Sequence, residues 1–263
     1  MATSFNGEWG INFKEMNDHI THLITCICFV FVISIFFSCS KDGCSFTAEA
    51  ISSQSRNVSS FNQIILYDKI NVILKEDSVQ SITVDANKTL LPGISTDVSN
   101  NILTIKNDNH CTLLTNPDQQ VNVYISTLQL QNITYYGAGN INSVNTLHPS
   151  QFTVDCWTGT GAVKLDIVTN SLSVYIRTNN AQVTLSGQSN TTVIYCAAEG
   201  YINMFQLPSV NLTLNQRSVR DIDINVTGSL NADVVYKGNV FYMGNPVKID
   251  SLITNTGRLI HVQ

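Results

Sequence analysis

Apolar residues recur in the second half of this chain at intervals of about 20 residues. Every twentieth residue from Val154 is apolar, which gives the ladder Val154, Val174, Ile194, Leu214 and Val234. A second ladder, with spacings of 18 to 22, comprises Ile141, Val163, Val183, Ile202, Ile222, Val240 and Leu259. Self-similarity at this period is typical of a solenoid, in which each repeat buries its apolar face by stacking on its neighbours.

Within each repeat, apolar and polar residues alternate, as they do from Phe152 to Cys156. A period of two predicts β-strands with one side facing a core. Small or polar residues separate the two ladders and predict turns at 137–140, 158–161, 179–181, 199–200, 237–239 and 256–257. We therefore predict an all-β fold, a β-solenoid with roughly six regular coils that begin near Ile133.

Residues before Ile133 give shorter strand signals. Alternation begins at Phe61 and recurs at 64–66, 70–74, 82–84 and 121–125. The sequence Leu-Leu-Pro-Gly at 90–93 predicts a helical turn that ends at the proline. Ser-Asn-Asn at 99–101 predicts a hairpin between its flanking segments. Because no linker interrupts residues 57–263, we predict that they form one domain.

An apolar run of 15 residues, 23–37, precedes this domain. It is short for a transmembrane helix, which needs ~20 residues, and fits the core of a signal peptide. Cys39 follows the run after the small residue Ser38, the arrangement of a bacterial lipobox. We predict that residues 1–38 are a lipoprotein signal peptide, that Cys39 is lipidated and that 39–56 are a polar tether. A plain signal peptide and an uncleaved anchor are the alternatives.

The remaining cysteines fall into two classes. Cys156 and Cys196 share the inward side of their strands but lie two coils apart, about 9.6 Å at the usual strand spacing. That separation exceeds the ~7 Å limit for a disulfide, so both are predicted to be core thiols. Cys44 and Cys111 lie in polar, irregular stretches of an exported chain, where a disulfide between them would pin the tether to the first sheet.

Composition narrows the possible functions. Only 13% of residues are charged and the net charge is −5, against a globular average of ~25% charged. A mildly acidic chain with no basic stripe argues against nucleic acid as a partner. The histidines at 110, 148 and 261 are isolated and show no metal-ligand spacing, and no serine nucleophile elbow is present. We predict no cofactor and no metal.

One carboxylate pair is compatible with catalysis. Asp221 and Asp223 project from the same face of one strand, with Arg217 and Arg220 close by. Such a pair could bind calcium or act as acid and base. It also fits a solvated face whose charges balance, and no other coil supplies a matching acidic ladder. We therefore predict that the chain is not an enzyme.

Outward-facing aromatic residues indicate a binding surface. Tyr175 and Tyr195 are 20 residues apart and opposite in parity to the core ladder, while Trp157 and Arg177 form the next outward row. Exposed rings on a flat sheet can pack against the C–H-rich faces of sugars. The alternative is cross-strand packing that only stabilises the sheet. We predict ligand binding by Trp157, Tyr175 and Tyr195.

Several motifs in order resemble the head GIN domain family of auto-transporter adhesins. They are RNVSSFNQI at 56–64, ITVDA at 82–86, LLPGIST at 90–96, YGAGNI at 136–141 and VYKGNV at 235–240. The similarity covers nearly all of residues 56–263, although the turns at 179–181 and 217–219 lack the glycine that other coils keep.

The resemblance implies a right-handed parallel β-helix, carried by a lipoprotein of the bacterial outer membrane or cell surface. It also implies a non-catalytic adhesin or ligand-binding module. Its partners would be the membrane, through the lipid anchor, and a glycan or host-surface ligand. A structural component of the envelope and a carbohydrate-active enzyme of the β-helix type are the alternatives.

Overall fold

Seventeen β-strands make up nearly all the regular structure in the part of the chain that the computed structural model describes, residues 50–109, 120–178 and 180–263. The strands are β1 (Ile51–Arg56), β2 (Gln63–Leu66), β3 (Asn71–Glu76), β4 (Ser81–Asn87), β5 (Ile94–Ser99), β6 (Ile102–Asn107), β7 (Asn122–Thr127), β8 (Asn132–Tyr135), β9 (Ile141–Ser143), β10 (Gln151–Cys156), β11 (Ala162–Ile176), β12 (Gln182–Ala198), β13 (Tyr201–Ser218), β14 (Ile222–Val234), β15 (Val240–Met243), β16 (Lys248–Ile253) and β17 (Leu259–His261). A 3-10 turn at Leu91–Gly93 matches the helical turn predicted there.

Parallel pairing of these strands confirms the β-solenoid, with about six turns of about 20 residues. Each coil contributes a strand to two sides. Side A contains β6, β2, β8, β10, the second halves of β11 to β14, and β16. Side B contains β7, β3, β9, the first halves of β11 to β14, β15 and β17. The long strands β11 to β14 pass from side B to side A.

The apolar ladders lie between the two sides. Val154 is beside Val174, Val174 beside Ile194, and Ile194 beside Leu214, and all four are buried. Burying one such side chain stabilises a fold by about 1.5–3 kcal/mol. The second ladder keeps its whole predicted register, from Ile141 to Leu259.

The last step of the first ladder was predicted wrongly. Leu214 pairs with Ala232, and Val234 pairs with Gln216. Two irregularities in the pairing of β13 with β14, one of them next to Pro208, shorten this side of the coil to 18 residues. A proline has no N–H to donate to the ladder, so pairing commonly breaks there.

Spatial order departs from chain order near the N-terminal end. Strand β2 pairs with both β6 and β8, and β3 pairs with both β7 and β9. The coil made by β2 and β3 therefore lies between the β6–β7 coil and the β8–β9 coil. Parallel stacking thus includes two coils that precede Ile133 in sequence.

Antiparallel strands complete this end of the molecule. Strands β5 and β6 form the predicted hairpin, with Asn100 and Asn101 at positive φ. Strand β4 pairs antiparallel with β7 and with β1, so residues 51–56, which the sequence assigned to the tether, belong to the sheet. All the described residues belong to one compact unit, Phe46–Gln263.

The structure tests the predictions for two of the cysteines and leaves the others untested. Cys156 and Cys196 are buried free thiols, and Ile176 lies between them in register, as predicted. Cys39, Cys44, Cys111 and the predicted signal peptide at 1–38 lie outside the described residues. Within the described ranges, no helix has the length and apolar character needed to cross a membrane.

Candidate ligand-binding surface

Three aromatic rings lie at equivalent positions in successive coils. Leu66 pairs with Tyr135, Tyr135 with Cys156, and Cys156 with Ile176. The residues that follow them, Tyr67, Tyr136, Trp157 and Arg177, therefore occupy the edge at which side A turns into side B, here called the ladder edge. The Tyr67 and Tyr136 rings stack at 5.0 Å and 6°, and those of Tyr136 and Trp157 at 6.3 Å and 20°. We call these three rings the aromatic ladder.

Cations cover both ends of the aromatic ladder. Lys106 Nζ lies 5.2 Å from the centroid of the Tyr67 ring, and the Arg177 guanidinium lies 4.5 Å from that of Trp157. Tyr136 has a ring on each face, and Trp157 lies between Tyr136 and the Arg177 guanidinium. Neither ring has a free face for a sugar, although the sequence predicted Trp157 to bind a ligand in that way. The ladder instead presents ring edges to solvent, and Trp157 is 42% exposed.

An ion pair fixes the Trp157 end of the ladder. Arg177 Nε and Nη2 donate to the two carboxylate oxygens of Asp155 at 2.7 and 3.0 Å. Trp157 Nε1 donates to the same carboxylate at 3.1 Å. The hydrogen bonds that Arg177 donates to Asp155 raise the pKa of Arg177. This bidentate geometry holds the guanidinium over the indole, where cation–π attraction adds to the charge pairing.

A groove of about 430 Å³ lies against the ladder. The rings of Tyr67 and Tyr136 line it together with Asp68, Lys69 and Thr160. Its size falls within the roughly 300–1,000 Å³ in which proteins bind small ligands. The groove thus combines aromatic edges with a carboxylate, an ammonium and a hydroxyl group.

Glycine and a buried tyrosine shape the turn beneath this groove. A Cβ on Gly139 would collide with the backbone oxygen of Ile70 in the neighbouring coil, so only glycine permits this approach. The Tyr135 hydroxyl donates to Gly139 O and accepts from Gly161 N at 3.1 Å. Burial raises the pKa of Tyr135, which keeps the hydroxyl able to donate.

A second, polar groove of about 360 Å³ lies on the same side of the molecule. Amide, hydroxyl and carboxylate groups line it: Gln63, Gln131, Asn132, Gln151, Thr153 and Asp155. Asp155 therefore both lines this groove and bonds to Trp157 of the ladder. Hydrogen-bonding side chains are thus continuous with the aromatic ladder on one face.

The predicted site residues form one outward patch. Tyr175 and Tyr195 are opposed in register on β11 and β12, and both are half-buried on the outer face. Arg177 lies 5.1 Å from the Tyr175 centroid, so it joins Tyr175 to Trp157. Tyr67 and Tyr136 were not predicted as site residues from the sequence. A 69-residue offset, seen in Gln63 beside Asn132 and Val72 beside Ile141, would have aligned them.

The carboxylates considered for catalysis are already engaged. The Tyr201 hydroxyl donates to Asp223 at 2.8 Å, and Asp221 accepts the backbone N–H of Asn239 at 2.7 Å. Burial raises the pKa of Asp223. Over the ranges that the structure describes, no group of three or more His, Cys, Asp or Glu residues could hold a metal ion.

Comparisons with solved structures show the fold. A "putative adhesin" from Bacteroides fragilis NCTC 9343 superimposes with a TM-score of 0.74 at 18% identity, over 84% of this chain and all of that one. A "putative lipid binding protein" from Parabacteroides distasonis ATCC 8503 gives 0.63 at 16% identity, over 81% and 97%. A "putative adhesin" from Parabacteroides merdae ATCC 43184 gives 0.58 at 17% identity, over 82% and 97%.

Sequence comparison identifies the family. No curated protein matches the chain significantly. The family described as "Putative auto-transporter adhesin, head GIN domain" matches residues 60–246, which include the aromatic ladder and the strands around it. The chain belongs to this head GIN domain family.

Proposed function

We propose that this chain is a non-catalytic adhesin of the bacterial cell envelope that binds a glycan along the aromatic ladder. The observation that carries the proposal is the ladder itself: three stacked rings at the surface, between an aromatic-walled groove and an amide-lined groove. The description of the family as adhesins supports an envelope role.

The chemistry of the surface suits a sugar. Pyranose rings carry apolar C–H groups that pack on aromatic carbon, while their hydroxyls need hydrogen-bonding partners. The edges of Tyr67 and Trp157 supply the aromatic carbon. Asn132, Thr153 and Asp155 supply acceptors and donors beside them. Preformed pockets with a few placed polar groups are the usual form of such sites.

Tyr175 and Tyr195 extend the proposed surface toward the C-terminal coils. They lie in the outward row next to the ladder, and Arg177 contacts the first of them. Their half-buried rings offer additional aromatic carbon to a ligand that runs across several strands. In this arrangement Trp157, Tyr175 and Tyr195 act together, with Arg177 as the group that positions the first two.

The proposal also places the domain on a membrane. Cys39, lipidated after removal of residues 1–38, would hold the solenoid at the outer membrane or the cell surface. Two or more acyl chains on one cysteine give stable anchoring, whereas one chain gives only marginal binding. The residues between Cys39 and β1 would then act as the tether.

A glycan array probed with the fragment 46–263 tests the binding proposal. This fragment contains the whole compact unit. We expect the fragment to bind a subset of the glycans. Trp157→Ala and the double variant Tyr175→Ala/Tyr195→Ala should lose this binding. The matched control is Tyr124→Ala, because Tyr124 is also 42% exposed but lies on β7 of side B. Equal binding by the Trp157 variant and the control would contradict the proposed site.

A further inference from the structure

Arginine is concentrated along the ladder edge. The chain has five arginines, and Arg177, Arg217, Arg220 and Arg258 all lie at turns from side A to side B. Over the part of the chain that the structure describes, every cation–π contact also lies along this edge. These residues span about 80 positions, so their proximity in space is not evident from the sequence.

The C-terminal part of this edge carries unpaired positive charge. Four cations lie here at the end of β13 and in the turns at 219–221, 235–239 and 254–258. They are Arg217, Arg220, Lys237 and Arg258, which we call the cationic edge. Among described residues, the ion pairs within 4.0 Å are Lys75–Asp77, His148–Glu76 and Arg177–Asp155. None of them involves the cationic edge.

Neutral partners hold these cations in place. Arg217 Nε donates to Asn215 Oδ1 at 2.9 Å. The Arg220 guanidinium lies 4.6 Å from the Tyr201 ring centroid, and Lys237 Nζ lies 5.7 Å from that of Tyr236. Stacking on a ring orders a cation without neutralising it, so the charge stays available to a ligand.

Carboxylates lie near these cations without forming ion pairs with them. Glu199 and Asp221 lie in the turns at 199–200 and 219–221, Asp223 accepts the hydroxyl of Tyr201, on which Arg220 stacks, and Asp233 pairs in register with Asn215. Asp221 is turned toward the backbone N–H of Asn239. The four cations of the edge are therefore matched by four carboxylates overall, but among the described residues none of the cations is within 4.0 Å of a carboxylate oxygen.

We infer that the cationic edge binds the anionic groups of an acidic polysaccharide, carboxylates or sulfates, that lies along the solenoid axis. The first and last turns of the cationic edge are two strand spacings apart, about 10 Å, so its cations can face successive groups of an extended polymer. Guanidinium groups bind planar carboxylate and sulfate oxygens well. The inference rests on the proposed function in one respect, that the ligand is a glycan.

Matched polymers test this inference with the fragment 46–263. Dextran sulfate is compared with dextran, and polygalacturonate with its methyl ester, so that the members of each pair share a backbone and only one of them is charged. We expect the charged member of at least one pair to bind and its neutral partner not to. The pair that responds distinguishes sulfate from carboxylate. Binding should weaken as salt rises, because the contacts are exposed.

Two charge-matched variants locate the site. The triple variant Arg217→Gln/Lys237→Gln/Arg258→Gln should raise the Kd for the charged polymer about tenfold, as the sum of three exposed charge contacts. The control Lys88→Gln/Lys164→Gln/Lys248→Gln removes the same charge from exposed positions elsewhere and should change the Kd less than twofold. Circular dichroism establishes that both triple variants are folded.

Three results would overturn the inference: no preference for either charged polymer, equal losses in the two triple variants, or tighter edge-dependent binding of a single-stranded oligonucleotide. The proposed function fails separately. If Trp157→Ala leaves neutral-glycan binding unchanged while the triple variant loses the acidic polymer, the cationic edge stands and the aromatic site does not. If instead Trp157→Ala loses neutral-glycan binding while the triple variant binds the acidic polymer as the unsubstituted fragment does, the aromatic site stands and the cationic edge does not.

Discussion

Single residues determine whether neighbouring coils can approach to strand spacing. Gly187 lies in β12 at φ +113°, and a Cβ there would collide with the backbone oxygen of Ile167 in the preceding coil. The pairing of β12 with β13 also shifts register between Thr184 and Ser189. A glycine at such an irregularity relieves strain that an L-residue would introduce.

Gly187→Ala is therefore expected to lower the free energy of unfolding by about 1–3 kcal/mol. Chemical denaturation of the fragment 46–263 measures this difference. Gln188→Ala, a substitution at the exposed neighbour, should stay within about 0.5 kcal/mol of the unsubstituted fragment. If both variants were equally stable, the steric account of Gly187 would be wrong.

The buried thiols predict a pH dependence. Burial raises the pKa of Cys156 and of Cys196 to about 12, from an ordinary value of 9.0. Between these two values the unfolded chain loses a thiol proton and the folded chain keeps it. Rising pH therefore favours unfolding in this window, by up to about 1.4 kcal/mol per pH unit for each thiol.

The double variant Cys156→Ala/Cys196→Ala should be less stable than the unsubstituted fragment at pH 8, because it leaves small cavities. Its stability should then fall less steeply above pH 9, so the gap between the two proteins narrows. Denaturation curves at pH 8.0, 9.5 and 10.5 show this directly. Parallel stability curves would mean that the thiols ionise equally in both states.

At the scale of the strand, the inward row specifies the stacking. Ile194 is 1% exposed and lies between Val174 and Leu214, whereas its neighbour Val193 is 36% exposed on the outer face. Ile194→Asp places an unpaired carboxylate in the core and should cost about 3–5 kcal/mol. Val193→Asp introduces the same charge outside and should cost less than about 1 kcal/mol. Thermal unfolding compares them, and similar melting temperatures would contradict the assigned register.

Periodicity predicted the regular coils because each one repeats the last at nearly constant length. Val154, Val174 and Ile194 are in register for this reason. The prediction failed between Leu214 and Val234, where irregular pairing near Pro208 removes two residues from the repeat. It also missed the β2–β3 coil, because β4 and β5 separate that coil from β6 in sequence, and β4 to β7 separate it from β8.

Regular spacing likewise predicted only part of the candidate site. Trp157, Tyr175 and Tyr195 lie within the regular repeat, so their outward parity could be read from spacing. Tyr67 is 69 residues from Tyr136, and only the inserted β2–β3 coil brings the two rings together. That the rings stack on one another, with cations over both ends, depends on side-chain geometry that spacing does not specify.

At the scale of the whole molecule, we propose that Cys39 attaches the protein to the membrane and that the solenoid binds the glycan. If Cys39 is lipidated, Cys39→Ala should lose membrane association and leave the folded domain in the aqueous fraction. Fractionation of cells that produce each form measures this. The variant should keep the glycan profile of the unsubstituted protein, because Cys39 precedes the whole compact unit. Membrane association equal to that of the unsubstituted chain would favour an uncleaved helix.

Fluorescence of Trp157 tests the central claim most directly. The chain has two tryptophans, Trp9 and Trp157, so the fragment 46–263 has a single tryptophan, at the end of the aromatic ladder. A glycan that binds along the ladder should change the Trp157 emission, with a midpoint equal to the Kd from calorimetry. Calorimetric binding without any change in Trp157 emission would contradict the account.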